Sequence, residues 1–240
     1  MQEKAIIMRV LRIFSAAVNS KGRIDMKYEL AVFDMDGTIL NTLEDLADSL
    51  NHALGMSGYP KRTIDEVRRF VGNGIRKLIE RGVPEGSSVA DIDRVFADFN
   101  AYYKIHCADK TKPYDGITEL LCDLRASGVK TAVVSNKADY AVQELCVQYF
   151  DGLFDVAVGE RSGVRKKPAP DSVDAVLEKL NIPRERAVYI GDSDVDIATA
   201  KNARMDSFIV DWGFRDTAFL KENGAEIIVS SPSDIKRLIM

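Results

Sequence analysis

Leu30-Ala31-Val32-Phe33-Asp34-Met35-Asp36-Gly37-Thr38 is the stretch from which the rest of the chain is read. Four apolar residues, with β-branched and aromatic members among them, predict a short buried strand, and the change to Asp-Met-Asp-Gly-Thr marks where it stops. Two carboxylates therefore sit at a strand end. In an open parallel sheet ligands bind beyond the carboxyl ends of the strands, so Asp34 and Asp36 are candidates for chemistry rather than solubility. Paired carboxylates repel one another unless a cation holds them, and hard oxygen ligands beside a Gly-Thr turn suit Mg²⁺. A solvated turn is the plainer alternative. A calcium loop fits poorly, because its template puts the glycine two positions later and a helix before the loop.

The composition narrows the class. At 240 residues the chain can bury a substantial core and hold one large domain, or one domain with an insertion. Its 46% apolar and 29% charged residues are ordinary for a soluble globular protein, which sets aside disorder and a membrane protein. A net charge of −4 argues against nucleic acid as the main partner. Cys107, Cys122 and Cys146 are odd in number and lack C-x-x-C spacing, and His52 and His106 are the only histidines. A zinc site or a disulfide framework is therefore not expected, and a reducing cytoplasm is.

Residues 1–26 differ from the rest. Ile6, Ile7, Met8, Val10, Leu11, Ile13 and Phe14 are interrupted by Arg9 and Arg12, so the run falls short of the roughly 18 apolar residues of a membrane span. No stable membrane insertion is expected, and the same interruption denies it a clean signal-peptide core. The expectation is a poorly ordered extension, with a short amphipathic helix as the alternative and Met26 as a possible start of a shorter chain.

After the Asp-x-Asp turn, Thr42 and Asp45 give a helix-start signal, and Leu43, Leu46, Ala47, Leu50, Ala53 and Leu54 follow at helical spacing to about Gly55. Thr63 and Glu66 form a second capping box ahead of Ile64, Val67, Phe70 and Val71. Gly72-Asn73-Gly74 breaks that pattern, helix resumes over 75–81, and Ile92, Val95, Phe96, Phe99, Tyr102 and Tyr103 mark the buried face of a third helical stretch. Nothing between about Asp45 and Lys112 reads as a strand. From Pro113 helix and strand alternate: helices over 117–127, 140–149, 171–180, 197–202 and 217–222, strands over 129–134, 153–158, 187–190, 207–210 and 226–229, and a C-terminal helix. Such alternation specifies right-handed crossovers and a parallel sheet covered on both faces. The predicted fold is α/β, with a Rossmann-like core of residues 27–44 and 113–240 and a helical cap of residues 45–112 inserted after the first strand.

Three later strands end in distinctive polar residues: Ser135-Asn136-Lys137, then Arg165-Lys166-Lys167-Pro168 beyond Val158, then Gly191-Asp192-Ser193-Asp194-Val195-Asp196. A parallel sheet would bring them to one edge with Asp34 and Asp36. A hydroxyl, an amine and several carboxylates suit phosphoryl transfer. A phosphate dianion repels an attacking carboxylate by roughly 4 kcal/mol per pair of unit charges at about 4 Å. Attack is feasible only beside compensating cations, which Mg²⁺ and a lysine would supply. Ser135 and nearby N–H groups could orient phosphate oxygens, and Asp36 is placed as the second carboxylate that moves protons. Lys166 stands beside Lys167 as an alternative amine; Asp194 and Ser193 read as capping or solvated residues.

Asp34-Met35-Asp36-Gly37-Thr38, Val134-Ser135-Asn136, Lys167-Pro168 and Gly191-Asp192-x-x-x-Asp196 resemble the four ordered motifs of the haloacid dehalogenase superfamily, over the chain from about Tyr28 to its end. The resemblance implies that Asp34 is a nucleophile forming an aspartyl-phosphate and Asp36 the general acid/base. It implies Mg²⁺ held by Asp34, Asp192 and the Asp36 carbonyl, with Asp196 in support. It puts Thr38, Ser135 and Asn136 at the phosphorylated substrate, makes Lys167 the neutralising charge, and makes the helical insertion a mobile cap.

Within that family Asp36 argues against dehalogenation, and Gly191-Asp192 argues against a β-phosphoglucomutase-like mutase, whose last motif carries Glu-Asp. Val71-Gly72-Asn73-Gly74, Pro113-Tyr114-Asp115-Gly116, Ser135-Asn136-Lys137 and Trp212-Gly213-Phe214-Arg215 resemble the phosphoglycolate phosphatase group, and also the related pyrophosphatases. Gly72, Asn73 and Gly74 would then place N–H groups near a substrate carboxylate, with Arg76 or Lys77 adding charge; a plain turn is the alternative. The expected partner is a small phosphorylated metabolite, the expected assembly a monomer or homodimer. A broad sugar-phosphate phosphatase, a receiver domain lacking this insertion, and a catalytically silent binding protein are the competing readings.

Overall fold

In chain order the elements begin with β1 (Leu30–Phe33), β2 (Leu40–Asn41), α1 (Leu43–Met56), α2 (Ile64–Phe70), α3 (Ile75–Gly82) and α4 (Val89–His106). They continue with β3 (Lys112–Pro113), α5 (Ile117–Ala126), β4 (Lys130–Ala138), α6 (Asp139–Phe150), β5 (Val156–Glu160) and α7 (Asp171–Leu180). Last come β6 (Ala187–Gly191), α8 (Asp194–Asn202), β7 (Asp206–Val210), α9 (Thr217–Glu222), β8 (Ile228–Val229) and α10 (Pro232–Ile239). This computed structural model describes residues 26–240, so the expectations for the extension up to residue 25 lie outside the described residues.

Six strands form one parallel sheet in the order β5-β4-β1-β6-β7-β8. All four residues of β1 are buried, as a central strand with covered faces requires. Its side chains alternate between two cores. Leu30 and Val32 pack with Val173, Val176 and Leu177 of α7 and Ala200 of α8. Ala31 and Phe33 pack with the apolar faces of α5, α6 and α10 and with the helices between β2 and β3. Burying each large side chain is worth roughly 1.5–3 kcal/mol, so one slip of register, which would exchange the two faces, is strongly disfavoured.

Register also aligns the strand ends. Phe33 pairs with Val133 on one side and Ile190 on the other, so Asp34, Ser135 and Asp192 leave the sheet at nearly one level. The Asp34 N–H donates to the Ile190 carbonyl at 2.8 Å.

Helices α1 to α4 occupy the chain between β2 and β3, and these two strands pair antiparallel, Leu40 opposite Pro113. That ribbon is the neck of the insertion, too short for a periodicity to reveal. The expected Thr42 and Asp45 capping box does not form. Thr42 makes no capping bond, and the Asp45 carboxylate instead accepts the N–H groups of Lys110 (3.0 Å) and Thr111 (2.8 Å), tying the return of the insertion to its start. The Thr63 and Glu66 box is present, with the Thr63 N–H donating to Glu66 Oε2 at 2.8 Å. Val67, Leu78, Ile79, Val95, Phe99 and Tyr103 carry the insertion into the same apolar core as Phe33. His52 and His106 stack on opposite sides of Tyr102, as packing residues.

Three boundaries differ from the sequence reading by three or more residues. β4 runs past the apolar Val134 through Ser135, Asn136 and Lys137, because these polar residues are buried at the site. β5 begins at Val156, because the Leu153 N–H closes a turn onto Phe150 and the Asp155 carboxylate accepts the Thr131 N–H. α8 begins at Asp194, since Ser193 and Asp196 close its first turn. Among the described residues no helix is long and apolar enough to cross a membrane.

Candidate active site

Asp34 ends β1 with its carboxylate almost enclosed. Lys167 Nζ lies 2.8 Å from Asp34 Oδ1 as an ion pair, yet that buried oxygen receives no well-directed hydrogen bond. The same Nζ lies 2.8 Å from Asp196 Oδ1 and 3.1 Å from the Tyr189 hydroxyl. Burial opposes the lysine charge, but Asp196 and Asp34 outweigh it and hold the ammonium protonated. Lys166 is half exposed and faces Glu160 at 3.6 Å.

Asp196 is fully buried, and both its oxygens are engaged. Oδ1 takes Lys167 and Tyr189; Oδ2 accepts the N–H groups of Asp192 (3.2 Å) and Ser193 (3.1 Å) and the Ser193 hydroxyl (2.6 Å). It is a strut that fixes the lysine and the turn after β6. Asp192 in turn accepts the Phe214 N–H at 2.7 Å and the Thr38 hydroxyl at 3.4 Å. Glycine is required around it: Gly37 has φ +87°, and a Cβ there would lie 2.3 Å from Asp192 Oδ2. A Cβ on Gly213 would lie 2.3 Å from Asp192 Cβ. The carboxylate is thus gripped by two loops.

Asp34, Asp192 and Asp196 offer carboxylate oxygens within 4.8 Å of one another. Desolvation pushes Asp34 up to about 6, with the Asp196 charge adding and Lys167 opposing, and it raises Asp192 well above the usual carboxylate range, helped by Asp196 and Asp34. Such crowding calls for a cation. With Asp36 the cluster counts four carboxylates against the two lysines that pair with them, Lys167 and Lys137, a deficit a divalent ion would match. An Asp34 oxygen that is ion-paired but accepts no directed hydrogen bond, together with the all-oxygen donor set, fits a hard cation.

Asp36, two residues on, turns the other way, to Lys137 Nζ at 2.8 Å. A small pocket opens above these groups, lined by Asp34, Asp36, Ser135, Asn136, Lys137 and Asp192 from the core and by Val71, Gly72, Gly74, Ile75, Leu78 and Tyr103 from the insertion. Asn136 donates its amide to the carbonyls of Gly72 (3.3 Å) and Lys167 (3.1 Å), which makes it a tether between the insertion loop and the lysine. A carboxylate at a pocket floor, beside a cation and a second carboxylate, can attack an electrophile and exchange protons with what leaves and what enters.

The structure brings Asp34, Asp36, Ser135, Asn136, Asp192, Gly72 and Gly74 to one pocket, with Lys167 and Asp196 directly beneath. Thr38 and Asn73 stand apart. The Thr38 hydroxyl faces Asp192 below the pocket, and Asn73 accepts from Arg81 at 2.8 Å along the outer rim. Arg76 and Lys77, expected to add charge at the substrate, pair with Glu80 on the outside of α3, because helical spacing sets them against that residue. The cation that reaches the pocket from outside the core motifs is Arg215, donating to the carbonyls of Arg68 (2.7 Å) and Val71 (2.9 Å). Lys137 and Tyr103 were legible only as a strand-end lysine and a helix-face aromatic; nothing in their spacing announced their meeting.

Residues 31–210 match the family of haloacid dehalogenase-like hydrolases. The chain belongs to that family. A phosphoglycolate phosphatase of Psychrobacter arcticus is 37% identical to this hydrolase over 201 residues, 79% of the chain and 86% of the relative. Among solved structures, a candidate phosphoglycolate phosphatase of Lactobacillus delbrueckii subsp. bulgaricus is 40% identical with a TM-score of 0.86, covering 90% of this chain and 99% of that one. CbbY of Rhodobacter sphaeroides, solved in complex with phosphate, is 26% identical with a TM-score of 0.68, covering 87% and 96%. The six-stranded sheet and its flanking helices are those of this family, and this haloacid dehalogenase-like hydrolase is a phosphatase enzyme.

Proposed function

We propose that this phosphatase hydrolyses 2-phosphoglycolate to glycolate and phosphate, with Mg²⁺ as cofactor and Asp34 as the residue transiently phosphorylated. The observation that carries the mechanism is the buried Asp34 carboxylate at the pocket floor, paired with Lys167 and two residues from a second carboxylate. Asp34 and Asp192 would hold the ion with the Asp36 carbonyl, and Asp196 would support them. When bound, the ion supplies positive charge against the phosphate oxygens and lowers the repulsion between phosphate and Asp34.

Asp34 attacks phosphorus, the P–O bond to the leaving group breaks, and Asp36 gives the departing alkoxide its proton. Water then attacks the phosphorus of the aspartyl-phosphate, Asp36 takes the proton back, and Asp34 is freed with inorganic phosphate. Lys167 offsets charge on the nucleophile and on the phosphoryl group, and the Ser135 hydroxyl donates to a phosphate oxygen. Helices α1 to α4 act as a cap that excludes water from the pocket.

The substrate name rests on the phosphoglycolate phosphatase relatives and on the anionic character the pocket can accept. The amino-terminal turn of α3, entered through Gly74, lines the pocket, and helix N-termini favour carboxylates. Arg215 adds charge beside the Val71-Gly72 loop that leads into α3. The test is phosphate release from 2-phosphoglycolate, pyrophosphate and a panel of sugar phosphates at one Mg²⁺ concentration. A kcat/KM advantage of about a hundredfold for 2-phosphoglycolate, on the order of 3 kcal/mol, supports the substrate. A flat profile or a pyrophosphate preference removes the substrate and keeps the chemistry.

A further inference from the structure

Lys137 is an expensive residue to place where it stands. It is only 4% exposed, at the end of β4, and a buried ammonium must recover its lost hydration from partners. It has two, from different parts of the chain: Asp36 Oδ1 at 2.8 Å and the hydroxyl of Tyr103, on α4 of the insertion, at 2.5 Å. Tyr103 is itself fully buried, so its hydroxyl has no solvent to fall back on, and the lysine also lies 4.9 Å from its ring centre. Were stability the only demand, apolar residues of similar volume would serve as well or better.

The geometry has a consequence for Asp36. An ammonium only donates, so Asp36 Oδ1 is committed as an acceptor and its other oxygen alone is left to carry a proton. The Asp36 carboxylate, partly open to the pocket, makes no other hydrogen bond or ion pair among the described residues, so this anchor sets its direction. We infer that Lys137, held in place by Tyr103, is the positioning residue that aims the proton-carrying oxygen of Asp36 at the leaving-group oxygen. Because Tyr103 sits on the insertion, the aim is complete only when the insertion is packed against the core. The inference rests on the role proposed for Asp36, and the following experiment separates the two.

Lys137→Met and Tyr103→Phe are compared with the wild type on three monoesters: 2-phosphoglycolate, ethyl phosphate and p-nitrophenyl phosphate. The first two expel an alkoxide that needs a proton; the third expels a stable phenolate that does not. Only the first carries a carboxylate. A misplaced proton donor costs on the order of a hundredfold. The expected result is a loss of about that size in kcat/KM for Lys137→Met on both alkyl esters, at least ten times greater than its loss on p-nitrophenyl phosphate. Tyr103→Phe shows the same pattern with a smaller loss, and Lys137→Arg recovers part of it. A loss confined to 2-phosphoglycolate makes Lys137 a carboxylate-binding residue and overturns the inference. So does an equal loss on all three esters, the mark of a structural or phosphate-binding role, or no loss on any. If Lys137→Met does not fold, Tyr103→Phe, which removes one oxygen, decides alone by the same ratio. Wild-type protein that hydrolyses none of the three would overturn the phosphatase mechanism, and this inference with it.

Discussion

Lys167 Nζ stands 2.8 Å from Oδ1 of Asp34, and both groups are buried. The lysine charge is shared with Asp196 at the same distance, so one ammonium holds a nucleophile candidate and its strut together. Replacing Lys167 by Met leaves two buried carboxylates uncompensated, at a cost of roughly 3–5 kcal/mol. Urea denaturation reads that loss, and phosphatase activity falls at least a thousandfold. Lys166→Met, beside it and half exposed, leaves both nearly unchanged. The reverse ranking would make Lys166 the working amine.

The neck of the insertion depends on Asp45. Its carboxylate accepts the N–H groups of Lys110 and Thr111 from more than sixty residues away. Asp45→Ala strands two backbone donors, and hydrogen bonds to a charged group are worth roughly 1.5–3 kcal/mol. Chemical denaturation of the variant should show a loss of about 2 kcal/mol or more. A loss below about 0.5 kcal/mol would mean that water replaces the carboxylate.

A cation held by Asp34 would link metal binding to pH. Its folded value of about 6 lies above the ordinary 3.8, so the metal-free fold prefers the proton and loses stability as pH rises between those values. A cation prefers the ionised form, and protons compete with it below about pH 6. Adding Mg²⁺ therefore raises Tm more at pH 7.5 than at pH 5, and EDTA reverses the gain. Equal shifts at both pH values would show that the ion binds elsewhere.

Gly213 packs against the backbone and side chain that hold the metal-candidate carboxylate, and a Cβ there would meet Asp192. Gly213→Ala displaces Asp192 and weakens Mg²⁺ binding at least tenfold, measured by calorimetry. Unchanged affinity would remove Asp192 from the ligand set.

The parts legible in the sequence are those set by local chemistry. The run Leu30–Phe33 and the later apolar stretches pointed to the parallel sheet, and the polar residues beyond the strand ends pointed to Asp34, Ser135, Asp192 and the Lys166-Lys167 pair. The continuation of β4 through Lys137 was not legible, because polar residues stay extended there only to meet Asp36 and Tyr103 across the fold. Arg76 and Lys77 misled for the converse reason: a loop placed them near the site, but the turn of α3 pointed them outward to Glu80. Asp45 looked like a cap residue, since its true partners lie at the far end of the insertion.

The central claim is that Asp34 becomes phosphorylated, and rapid quench of a single turnover with phosphate-labelled 2-phosphoglycolate tests it directly. The expected result is transient label on the peptide containing Asp34, stable in acid and released by hydroxylamine, and none in Asp34→Asn. Label-free protein while phosphate accumulates, or label on another peptide, would contradict it.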